Sequence, residues 1–132
     1  MPIIITDEVE KNILLRTYAS NINKRSLKNF IKKKGYGDGG GGYMAIFFKS
    51  DLEEDLYMTQ VELEIDISQF KDNQVLLDVD PPAAPVNEQL IIDFDEFYNY
   101  LAKVVDERIS ESPEDKEEYQ ELLAKVKTAL EL

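Results

Sequence analysis

Carboxylates are the side chains from which this sequence could build chemistry. There is no Cys and no His among its 132 residues, which removes thiol nucleophiles, imidazole bases, disulfides and Cys/His zinc sites. Asp and Glu number 27, and clustered acids can hold Mg²⁺ or Ca²⁺ or act as the paired carboxyls of a glycosidase. Glu62, Glu64 and Asp66 alternate along the chain, as do Asp78 and Asp80, so on strands each set would share one face. Asp51, Glu53, Glu54 and Asp55 form a denser run. With a lysine nearby, Asp78 and Asp80 could imitate a metal-dependent nuclease. Such an enzyme must also cradle phosphate, however, and almost no base accompanies these acids. The run at 51–55 lacks the spacing and central glycine of an EF-hand. With so many acids any two look paired, so spacing selects no glycosidase pair. The alternative for each set is a solvated strand face.

Two other patterns could do chemistry. Gly35-x-Gly37-x-x-Gly40 matches the dinucleotide fingerprint as a string. That fingerprint needs a strand before it and a helix after it, whereas here a helical pattern precedes and a strand pattern follows. A flexible loop is the better reading. Residues 24–34 carry six cations beside Phe30 and Tyr36, a composition that could bind RNA. The alternative is a helix face that pairs with the acidic remainder of the chain, which would itself repel a polyanion.

The elements that must position these residues follow from periodicity. Thr6 is placed to cap a helix over 7–19 with Val9, Ile13, Leu14 and Tyr18 on one face. Asn23 caps a second helix over 24–34, striped by Leu27, Phe30 and Ile31 and ended by a left-handed Gly35. All six glycines fall in 35–42, which reads as a mobile connector. Residues 43–49 read as a buried strand, 50–55 as an acidic turn, and 57–67 as a strand with Val61, Leu63, Ile65 and Ile67 opposite the three acids. A third strand over 74–80 turns Val75, Leu77 and Val79 inward and Asp78 and Asp80 outward. Prolines 81, 82 and 85 must leave the sheet, and Leu90-Ile91-Ile92 suggests a fourth strand. Asp93 and Glu96 have capping-box spacing ahead of a helix whose buried face holds Phe94, Phe97, Tyr98, Leu101, Val104 and Val105, with Arg108 at its rim. Ser112-Pro113 opens a last helix striped by Tyr119, Leu122, Leu123, Val126 and Leu130.

That order predicts an α+β class: an antiparallel sheet of three to four strands flanked by N-terminal and C-terminal helices. One domain over 1–132 is expected, divided into a basic helical arm (1–34), a Gly-rich connector (35–42), the sheet (43–92) and helices (93–132). The net charge of −12 is uneven, with a net +4 over 1–42 and −16 over 43–132. A segment this acidic repels nucleic acid and anionic membranes and attracts basic proteins. The first residues lack the basic flank and cleavage site of a signal peptide, no apolar run spans a bilayer, and a cytoplasmic protein without cofactors is expected. The carboxylate array of Asp51, Glu53, Glu54, Asp55, Glu62, Glu64, Asp66, Asp78 and Asp80 is the expected partner-binding face, imitating phosphate for a basic protein.

Size, acidity and two stretches, Val79-Asp80-Pro81-Pro82-Ala83-Ala84-Pro85 and Ile91-Ile92-Asp93-Phe94-Asp95-Glu96-Phe97-Tyr98, resemble the immunity proteins of bacterial contact-dependent growth inhibition and related polymorphic toxin systems. The resemblance implies a cytoplasmic protein that is not an enzyme. It would bind a cognate toxin domain, commonly a nuclease such as a basic RNase or DNase, and block its active site. Two readings of other classes stand beside it, a carboxylate-metal hydrolase using Asp78 and Asp80 and an oligomeric adaptor. The basic arm does not fit a simple acidic decoy.

Overall fold

Side-chain caps set where the first helices begin. In the computed structural model, which describes residues 3–37, 44–81 and 86–132, helix α1 (Glu8–Tyr18) is capped by Asp7, whose Oδ2 accepts from the Glu10 amide at 3.1 Å. Thr6, the expected cap, lies one residue early. Helix α2 (Lys24–Ile31) starts at Asn23 as expected. The Asn23 side chain takes the Ser26 amide, and Ser26 Oγ takes that of Asn23. The helix stops short of residue 34 because Lys33, not Gly35, adopts the left-handed conformation (φ 55°). Gly35 serves a different need: a Cβ there would lie 1.6 Å from the Ile46 carbonyl oxygen, so only glycine lets the two backbones pass.

Five strands form one sheet in the order β1-β5-β4-β3-β2. Strands β3 (Met44–Phe48), β4 (Gln74–Val79) and β5 (Glu88–Asp93) make the antiparallel meander, with Ile46 opposite Leu77 and Leu77 opposite Leu90. Two short edges complete it. Strand β2 (Tyr36–Gly37) pairs antiparallel with β3, and β1 (Ile3–Ile4) runs parallel to β5. The fold class is α+β, as the periodicity predicts. Residues 36 and 37, placed by the sequence in the connector, are paired strand; 38–42 of that segment and the prolines at 82 and 85 lie outside the described residues.

Helices α1, α2, α4 (Phe94–Glu111) and α5 (Lys116–Ala129) cover one sheet face. Their stripes meet Ile46, Phe48, Val75, Leu77, Val79, Leu90 and Ile92. At the centre Phe97 packs edge-on against Phe30 (centroids 5.2 Å, planes 73°) and Phe48 (6.1 Å, 79°). Helix α1 buries Leu14, Leu15 and Tyr18, not the expected Val9 and Ile13, which are 67 % and 62 % exposed. The Tyr18 ring fixes this rotation, because its hydroxyl reaches the backbone where β3 and β4 meet at Ala45 and Asp78. Arg108 donates to the carbonyls of Ala19 and Ile22, closing the end of the α1 segment against α4. Asp93 stands at the N-cap of α4 without a side-chain capping bond, so the expected capping box is absent: Asp93 accepts from Gln74, and Glu96 pairs with Lys11. Ser112 likewise makes no capping bond, and Pro113 opens a 3-10 turn ahead of α5.

The second sheet face is also covered. Helix α3 (Lys49–Glu54) replaces the expected acidic turn, and 55–70 folds over the sheet beside it. Here Leu52, Leu63, Ile65 and Phe70 pack on Leu76. The expected strand over 57–67 does not form. A π-helical turn spans Met58–Glu62, Glu64 takes a left-handed conformation (φ 55°), and Ile67–Gln69 is a 3-10 turn. Val61, assigned inward by alternation, is 57 % exposed. Thr59 explains the coil: its buried hydroxyl hydrogen bonds to the Leu52 and Asp55 carbonyls, at 2.6 and 2.9 Å, holding a helical turn where a strand would carry it away.

Candidate functional site

With both sheet faces covered, the carboxylates cannot form a ladder on paired strands. Asp78 is the clearest correction. It points to the second face, beneath the 55–70 cover, and is 4 % exposed. Its Oδ1 accepts from Asn87 Nδ2 at 3.0 Å and Gln89 Nε2 at 3.3 Å. Burial pushes the carboxyl up from its ordinary pKa, the Asn87 bond opposes the rise, and neighbouring Asp80 adds to it. Asp80 is half-buried and shares the Asn87 amide. These two acids meet amide N–H groups, whose dipoles stand where a cation would, so the pair is poorly suited to holding a metal for hydrolysis. Among the described residues no group of three or more acids is gathered as a metal site.

A stability measurement checks this environment. A raised folded-state pKa means that the native state holds more protons than the unfolded chain between about pH 4 and the raised value. The burial penalty is therefore absent at low pH, grows through that window and is complete above it. Asp78→Asn removes the charge while keeping an acceptor for Asn87 and Gln89. It should melt at or above the wild-type temperature at pH 7, with the gain shrinking as pH falls towards 4. A melting point lower at pH 7 than wild type would show instead that the donors hold the charged form.

Gln89, paired with Asp78 across β4 and β5, is the residue that spacing did not reveal. It is fully buried, and its Nε2 donates to the Leu63 carbonyl at 2.7 Å, tying the cover to the sheet just before the left-handed Glu64. Its Oε1 has no hydrogen-bond partner among the described residues. Gln89 follows Glu88 and stands just ahead of the apolar run Leu90-Ile91-Ile92, so nothing in its spacing marked it for burial.

The other expected site residues lie together on the cover. Asp51 is structural: its Oδ2 accepts from the Gly35 and Phe48 amides, both at 2.8 Å. Asp55 takes the Met58 amide and Asp66 that of Ser68, each at 3.0 Å. Glu54 pairs with Lys34 at 3.0 Å, which raises the lysine pKa through that hydrogen bond. Glu53, Glu62 and Glu64 are exposed. Residues 50–70 hold seven acids and no base of their own, so the layer is net negative, with Lys34 of the α2 end meeting it at Glu54. Leu56, Tyr57 and Val61 are exposed within it, at 49, 68 and 57 %.

The basic arm is not separate from this body. Helix α2 packs along α5, and Lys24 bridges Asp115 and Glu118, both at 2.9 Å. Those hydrogen bonds, to Asp115 first, raise its pKa.

The family model for CDI immunity proteins matches residues 6–123. The chain belongs to this family. Membership carries an immunity role in contact-dependent growth inhibition, the neutralising of a cognate toxin, and the sequence resemblance pointed to the same family. Comparison with curated proteins and with solved structures gave no match. No helix among the described residues of this immunity protein is long and apolar enough to cross a membrane.

Proposed function

We propose that this immunity protein neutralises a basic nuclease toxin by laying its acidic cover over the toxin's active site, with no chemistry and no cofactor of its own. The observation that carries the reading is the base-free run of seven acids over 50–70, gathered on one layer. A nuclease must attract a polyanion, so its active-site face is positive, and outward carboxylates satisfy it in the place of phosphates. The contact set is Glu53, Glu54, Asp55, Glu62, Glu64 and Asp66, while Asp51, Asp78 and Asp80 support it from within. Nucleic acid and membrane are repelled by the same field, and the protein acts in the cytoplasm, where a nuclease finds its substrate.

Co-expression tests this reading. The toxin domain encoded in the neighbouring reading frame should kill host cells alone and spare them when this chain is present. Lysates of the dying cells should contain cleaved RNA or DNA. Death despite co-expression would remove the immunity reading; toxicity with intact nucleic acid would remove the nuclease.

A further inference from the structure

We propose that Tyr57, flanked by Leu56 and Val61, is the anchor that holds the toxin once charge has brought it in, and that it enters an apolar recess ringed by Lys and Arg. This rests on the toxin-binding reading above. The three residues lie within one stretch of six. They are not surplus from the core, because the same segment sends Thr59, Leu63 and Ile65 inward and packs Met58 and Ile67 on the second cluster. The turn that presents them is fixed on every side. Met58 N–H is held by Asp55, Leu63 N–H by the Met58 carbonyl at 2.8 Å, and Ile65 N–H by the Thr59 carbonyl at 2.8 Å, with Gln89 below. An exposed tyrosine on such a turn loses little freedom on binding, the economy that makes aromatic side chains dominate interface energetics.

Charge identifies the occupant. Glu53, Asp55, Glu62 and Glu64 adjoin the trio along a segment with no base of its own, Glu54 being paired with Lys34, so a partner surface that covers the ring must bring cations to its rim. A Lys or Arg crossing the Tyr57 face adds a cation–π contact. Another exposed apolar pair, Val9 and Ile13 on α1, differs: Lys11 and Arg16 stand among Glu8 and Glu10 there, and the mixed field selects no sign.

The probe is the purified toxin domain from the neighbouring reading frame, captured on a surface over which each variant is passed. Tyr57→Ala should dissociate at least about tenfold faster than wild type, with association changed less than about twofold. Tyr57→Phe, which keeps the ring, should recover most of the residence time. Thermal melts should match wild type, since the side chain is exposed. Dissociation of Tyr57→Ala at the wild-type rate would overturn the anchor while leaving the immunity reading intact. So would accelerated dissociation by Val9→Ser/Ile13→Ser, the control expected to behave as wild type. Failure of the wild-type chain to bind would remove both.

Discussion

Replacing Glu53, Glu62 and Glu64 together by glutamine slows association with the toxin domain by about tenfold or more at low salt, within the roughly 10–10³ that electrostatic steering supplies. These three carboxylates are exposed, so removing their charge changes the field before contact more than the packed complex after it. Dissociation should change far less, the reverse of the Tyr57→Ala pattern. Added salt should erase the difference, as the Debye length contracts from about 10 Å at 0.1 M to about 3 Å at 1 M. Asp51, Asp55 and Asp66 are left in place because each accepts a backbone amide, and losing such a cap costs about 0.5–2 kcal/mol of stability. Stopped-flow mixing across a salt series is the measurement. Equal rates and salt slopes for variant and wild type would reduce the acidic layer to a solubilising surface and put the contact elsewhere.

Phe97→Ala should be the most damaging single truncation in the helical layer, at about 3–5 kcal/mol. Its ring is fully buried and stands between Phe30 of α2 and Phe48 of β3, with Phe94 also against Phe48. Its removal therefore opens a cavity where two helices and the sheet converge, and forfeits the edge-on contacts as well. Against a typical total of about 5–15 kcal/mol, the variant would be marginal. Urea unfolding would show a lowered midpoint with an unchanged slope. A midpoint shift worth less than about 1 kcal/mol would mean that neighbouring side chains collapse into the space.

Where one local signal decided an element, the sequence was legible. Asn23 placed the start of α2, and the stripe Phe94, Phe97, Leu101, Val104 and Val105 placed the buried face of α4. The meander strands were legible too. The segment 57–67 was not, because alternating apolar residues satisfy a strand and equally an irregular coil lying on a covered sheet. Thr59 decided between them through hydroxyl bonds that no periodicity records. Asp78 was assigned to solvent on the premise that one sheet face is wet. The runs Val75-Leu76-Leu77 and Leu90-Ile91-Ile92 carried the contrary signal, since continuous apolar residues mark a strand buried on both sides. That the acids at 51–66 lie near one another was readable from their density. The coiled layer that gathers them, and the buried Gln89 that ties it down, depend on contacts between distant residues.

The two sheet faces carry separate cores, a large one under the four helices and a small one of Leu52, Leu63, Ile65, Phe70 and Leu76 under the cover. None of the outward residues at 53, 54, 56, 57, 61, 62 and 64 belongs to either. Substitutions there leave both cores, which specify the fold, untouched. A lineage under pressure to follow a changing toxin can thus rewrite the proposed contact surface one residue at a time, each intermediate still folding on an unaltered scaffold.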